Sequence, residues 1–114
     1  MTITDLKNAL NAVTINGEPA LFKHFGWSSA PDGDYGVYSE DGAGFLMADD
    51  RNTENILTGT VDYFTRDDSG APKSAIESAL RSLQNSHPFA WNVNTIQYEQ
   101  DTGYIHYEWA WEFL

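Results

Sequence analysis

The chain contains no cysteine, which excludes a disulfide framework, a cysteine nucleophile and any zinc site built on thiolates. It is also short of positive charge. Six Lys and Arg stand against seventeen Asp and Glu, a formal net charge of −11 at pH 7. A field of that sign repels phosphate backbones and anionic lipid, so neither specific nucleic-acid binding nor a membrane partner is expected. Long apolar runs are missing as well. No stretch approaches the roughly 18 residues of a membrane span, and the opening "MTITDLKNAL" has no basic segment leading into an apolar one, so no secretory leader is expected. These absences predict a soluble protein made in a cytoplasm, a single domain over residues 1–114. The acidic excess serves either to keep it soluble or to meet a basic partner.

Aromatic residues are what the chain has in plenty: four Trp, six Tyr and six Phe. Disordered chains are poor in them, so this one is expected to fold around a few large side chains. The stretch "YIHYEWAWEFL" (104–114) alternates strictly, which reads as a strand. Ile105, Tyr107, Trp109, Trp111 and Phe113 share one face; Tyr104, His106, Glu108, Ala110 and Glu112 share the other. Such a row serves either as core or as a stacking platform for sugars or bases, because π-faces stack well. A small sheet with few other large apolar residues needs it as core.

The segment before it, "FAWNVNTIQYE" (89–99), is out of phase with itself: Phe89, Trp91 and Val93 are odd, Ile96 and Tyr98 even. A turn around Thr102-Gly103 would pair the two strands as a hairpin. A β-bulge at Asn94-Thr95 then brings every large apolar residue to one side, with Tyr98 opposite Tyr107, Ile96 opposite Trp109, Val93 opposite Trp111 and Trp91 opposite Phe113.

Two helices precede this hairpin. Leu6, Ala9, Leu10 and Val13 fall at helical spacing over 4–13, with Thr2 or Thr4 as N-cap, Asp5 in the first turn and Asn16-Gly17 as the stop. In "DDSGAPKSAIESALRSLQN" Pro72 sits near a first turn, and Ala75, Ile76, Ala79, Leu80 and Leu83 form a narrow stripe suited to lying close on a sheet. Between them, 20–27, 35–41 and 55–67 read as strands, with 42–50 as half of a hairpin. Gly59, in the middle of the strongest strand, signals a bulge or a large neighbour lying across it. The fold class is α+β: a mostly antiparallel sheet of four to five strands, two helices on one face and a C-terminal β-hairpin. Its expected core is Leu6, Leu10, Val61, Tyr63, Ile76, Leu80, Trp91, Val93, Ile105, Tyr107, Trp109, Trp111 and Phe113.

No catalytic constellation emerges. Glu108 and Glu112 lie roughly 14 Å apart on a strand at about 3.4 Å per residue, beyond the spacing of a glycosidase pair. His106 and Glu108 are close enough for acid–base work, but nothing near them supplies a nucleophile or an oxyanion hole. His24, His87 and His106 show no metal-ligand spacing. "DDRNTEN" (49–55) lacks the glycine and the distal glutamate of a calcium loop, and "EDGAGF" (40–45) lacks the lysine of a phosphate loop. The expectation is a non-enzyme with no metal and no cofactor.

The order of segments carries more information than any one of them. A first helix is followed by "ALFKHFGWSSAP…DYGVYSEDGAGFLMADDRNTEN", then "GTVDYFTRDD", a helix "SAIESALRSL" and the terminal "GYIHYEWAWEFL". This resembles the small tail terminator, or tail completion, proteins of long-tailed bacteriophages, over residues 4–114. The matching positions are His24-Phe25, Ala30-Pro31, Tyr35 to Tyr38, Phe45 to Asp50, Asp62 to Asp67 and Tyr104 to Glu108. Two features depart from the family: "DGD" stands before Tyr35 where prolines are usual, and the terminal strand is richer in tryptophan. The resemblance implies a virion protein at the head–tail junction, assembled in the bacterial host cytoplasm. It implies a ring of identical subunits, commonly a hexamer, contacting the major tail tube protein and a head–tail connector or stopper protein. Head-to-tail ring closure needs two different patches, for which the candidates are the exposed edge strands and the hairpin tip around Phe45, Leu46 and Met47, with Tyr38. The alternative reading is a small acidic inhibitor, of the anti-defence or immunity type, that mimics nucleic acid and binds a basic host protein.

Overall fold

The structure, a computed structural model, describes residues 1–42 and 56–113. Helix α1 (Ile3–Asn11) starts one residue before the expected 4–13, with Thr2, one of the two candidates, as its N-cap, and the Thr2 backbone N–H donates to Asp5 Oδ2 at 2.8 Å. That bond is the main cause holding the Asp5 carboxyl below its ordinary range. Asn16-Gly17 does not stop the helix, which ends at Asn11. It forms the tip of a two-stranded hairpin, β1 (Thr14–Ile15) with β2 (Glu18–Pro19). Both tip residues have positive φ, 53° and 83°, as a type I′ turn requires.

The main sheet has five strands in the order β3-β4-β5-β7-β6: β3 (Phe22–His24), β4 (Tyr35–Gly42), β5 (Leu57–Thr65), β6 (Phe89–Glu99) and β7 (Tyr104–Phe113). All neighbours are antiparallel except β3 and β4, which are parallel, so the sheet is mixed. The first of these strands is shorter than the sequence pattern over 20–27 suggests, because Phe25 takes φ 68° and ends it. The expected hairpin half over 42–50 lies outside the described residues but for Gly42, the last residue of β4.

One face of the sheet holds the core. Val61, Tyr63 and Thr65 of β5 and Tyr107, Trp109, Trp111 and Phe113 of β7 are buried there, under Leu6 and Leu10 of α1 and Ile76, Leu80 and Leu83 of helix α2 (Ala71–Ser86). Gly59 is the place where a large neighbour lies across the strand: a Cβ there would stand 2.3 Å from Trp111 Cζ2 and 2.1 Å from the Ser39 carbonyl oxygen. Trp109, the largest fully buried side chain, donates its indole N–H to Glu77 Oε2 on α2 at 2.9 Å. Lys73, one turn earlier, holds the other Glu77 oxygen at 3.1 Å. The helix is therefore fixed over the tryptophan row by a charge-assisted bond as well as by packing.

The bulge in β6 is present between Val93 and Thr95. The hairpin register differs from the expectation by two residues: Tyr98 faces Ile105, Ile96 faces Tyr107, Val93 faces Trp109 and Trp91 faces Trp111. The cause is a wider turn: four residues, 100–103, separate the paired Glu99 and Tyr104 in place of the two at Thr102-Gly103, closed by the Gly103 N–H bonded to the Glu99 carbonyl at 2.8 Å with Gly103 at φ 78°. Because the slip is even, no side chain changes face. Three expected core residues are less buried than anticipated. Trp91 and Ile105 are partly buried against the core, while Val93 is 38% exposed. Val93 lies on β6, beyond the reach of the helices that cover β5 and β7.

Gly59→Ala is expected to destabilise the fold by about 3 kcal/mol, since the clash is with a backbone oxygen and an immobile indole. Urea denaturation checks this; a loss under about 1 kcal/mol would mean that Trp111 does not rest on the strand.

Candidate interaction surfaces

The second face of the sheet carries the polar side chains of β5 and β7, and the register decides which of them meet. Asp62 lies directly opposite Glu108, and Phe64 opposite His106. His106 Nε2 is 2.8 Å from Asp62 Oδ1, and its ring stacks on Phe64 with centroids 4.1 Å apart. Thr60 Oγ1 donates to Asp62 Oδ2 at 3.0 Å, and Asn94, the bulge residue of β6, donates to Glu108 Oε1 at 2.5 Å. Glu99 approaches the far side of the imidazole, its Oε2 3.9 Å from Nδ1.

Two carboxylates are thus opposed across neighbouring strands around one histidine. Burial pushes the Asp62 carboxyl above its ordinary range; the His106 bond opposes this most strongly, and the hydrogen bond and then the charge of Glu108 add to the rise. One donor atom from each of Asp62, His106 and Glu108 lies within 4.8 Å of the others. Chemically the trio is able to share a proton or to ligate a divalent cation. Sequence reading paired His106 with Glu108 and gave no metal ligands; Asp62, on a different strand, was beyond any local spacing rule. The trio has one histidine and two acids, with no cysteine or serine nucleophile among the side chains that contact it.

Further along this face the residues are structural. Tyr35 stacks on Phe64 at 4.7 Å, with Tyr104 edge-on to both. The buried Tyr104 hydroxyl donates to the Gly33 and Asp32 carbonyls, and Arg66 lies over its ring at 4.0 Å. Arg66 also donates to the carbonyls of Thr102 and Asp32. These bonds seat the loop after β3 on the end of the sheet.

The remaining surfaces are the sheet's edges. Among the described residues the exposed large apolar ones are Leu21, Phe25, Val93, Ile96 and Tyr98. Leu21 and Phe25 flank β3, one edge strand, while the other three lie on β6, the opposite edge. Of the interface residues expected from sequence, Phe45, Leu46 and Met47 lie outside the described residues. Tyr38 is 4% exposed and belongs to the core, stacked on His24 at 4.8 Å, so its ring is not offered to a neighbour. A shallow groove between α1 and α2 is lined by small residues such as Ala9, Ala12, Ser78 and Ser82. The chain matches no protein-family model and no curated protein.

The Asp62–Glu108 opposition has a pH consequence. Because the folded-state pKa of Asp62 is raised, protonation favours the fold: that contribution is complete below the unfolded value, taken as 3.8, and is lost as pH rises through the folded value. At neutral pH the two charges oppose each other. Glu108→Gln is expected to raise stability at pH 7 by roughly 0.5–1 kcal/mol, with the gain shrinking below pH 3.8. Denaturation curves at both pH values check this, and an equal gain at each would refute the like-charge opposition.

Proposed function

We propose that the chain is a non-enzymatic virion subunit of the bacteriophage tail terminator kind, forming a ring that caps the tail tube and joins it to the head. The observation that carries the reading is the order of the quoted segments, which fall in turn on β3, β4, β5, α2 and β7. The face of the sheet away from the helices adds support. It gathers Asp62, Glu108 and Glu112, with Glu99 against His106. Turned toward the lumen of a ring, such a surface gives passing DNA nothing to hold, because like charges repel. The partners on this reading are further copies of the chain, commonly six in all, the major tail tube protein on one side and a connector or stopper protein on the other.

The same gathering of acids favours a second reading, an acidic inhibitor whose carboxylates imitate phosphates toward a basic host protein. The two readings separate on what the protein binds. The first expects a ring by light scattering at high protein concentration, and rings seated on the ends of purified tail tubes by electron microscopy. A chain that stays monomeric throughout, ignores tail tubes and captures a basic nuclease would establish the second instead.

A further inference from the structure

We propose that the two edges of the five-stranded sheet are the two halves of one self-interface: β6 of one copy receives the β3 edge of the next, and the sheet runs on from subunit to subunit. The proposal rests on the ring reading above for its premise that copies associate, and adds the surface by which they do so.

Four observations converge on it. The first is where, among the described residues, the exposed large apolar ones lie. Leu21 and Phe25 are at one edge, Val93, Ile96 and Tyr98 at the other. An interface between two different patches of the same chain is what a closed ring or a filament requires, whereas a two-fold dimer through β6 alone would leave Phe25 uncovered.

The second is that both patches border the same face. Val93, Ile96 and Tyr98 lie across from Trp109, Tyr107 and Ile105, on the side that bears the helices. Phe25 stacks on His24 at 4.2 Å, and His24 on the core residue Tyr38 at 4.8 Å, so Phe25 extends the core side outward at the β3 edge. Continuing the sheet brings these rings and aliphatic chains together.

The third is strand direction. β3 is parallel to β4, and each step from β4 through β5 and β7 to β6 is antiparallel. β3 and β6 therefore run in opposite senses, and a neighbour added by head-to-tail repetition offers its β3 antiparallel to β6. Inward bonds from Leu21 and Phe25 to β4 leave the backbone groups of Phe22 and His24 directed outward for that pairing.

The fourth is charge. Between Phe89 and Tyr98 no residue is charged, and the β3 edge carries Lys23, one of only six bases. In a chain of net charge −11 most surfaces repel their own copy. These two edges do not.

The absence of native cysteine allows a clean test in the full-length chain. Phe25→Cys and Ile96→Cys, both at exposed positions, are made separately, mixed, and treated with a short bismaleimide. The proposal expects covalent dimers in the mixture and none from either variant alone, and a ladder ending at a closed species from the double variant. Ile96→Lys should weaken self-association at least tenfold, while Asn85→Lys on the exposed side of α2 leaves it unchanged. Cross-linking of Ile96→Cys with itself would overturn the proposal in favour of a two-fold dimer. Oligomers by light scattering without cross-links in the mixture would overturn the edge pairing and leave the ring reading standing. A strict monomer at all concentrations and on tail tubes overturns both.

Discussion

The bond from the Trp109 indole to Glu77 sets the relation between the sheet and its covering helix. Trp109 is wholly buried, and an indole N–H taken from water without a partner costs about 1–3 kcal/mol. The acceptor is a carboxylate on α2, itself kept company by Lys73, so the helix must lie with Glu77 directly over the middle of β7. Gln84, two turns on, accepts from the Trp91 indole at 3.1 Å, and Arg81 lies over the same ring. Those contacts aim the C-terminal half of α2 at the first residues of β6.

The consequence is a cover that ends part-way along β6. Phe89 is buried at the start of β6, and Trp91 partly so, but Val93, Ile96 and Tyr98 continue the same apolar row past the helix into solvent. The chain thus has an apolar row longer than the surface its own helices cover. The exposed part of β6 follows from the same placement of α2 that makes the core sound.

Much of the architecture was legible because it rests on local alternation. The parity break between Val93 and Ile96 required a bulge, and Gly59 signalled either a bulge or a large neighbour across the strand; Trp111 is that neighbour. What was not legible depended on the relation between distant segments. The turn takes four residues, 100–103, closed by a hydrogen bond from Gly103 to Glu99 that no residue pattern announces, which moves the register by two. Tyr38, a candidate for the subunit interface, lies opposite Val61 on the face the helices cover, with β3 outside it, and so belongs to the core. The meeting of Asp62 with Glu108 and His106 was hidden for the same reason, since it exists only once β5 and β7 are in register. Val93 was misplaced for a related cause: periodicity tells which face a residue takes, not how far the helices on that face extend.

A sheet with two open edges is exposed to indiscriminate pairing, and proteins guard such edges with short strands, charges or bulges. Here each edge is guarded differently. β3 has only three residues, about 10 Å of strand at about 3.3 Å per residue, and ends at the left-handed Phe25. β6 is long and uncharged over ten residues, from Phe89 to Tyr98, but is broken by the bulge between Val93 and Thr95. Each guard limits how much strand a stranger is able to add, and neither removes the apolar side chains that a matching edge would bury. A short edge facing an interrupted one gives too little backbone pairing to drive aggregation, so in the proposed pairing association would fall to the fit between Phe25 on one side and Ile96 and Tyr98 on the other. On the proposed edge pairing, that division would let copies of an acidic chain assemble in one orientation without fusing their sheets at random.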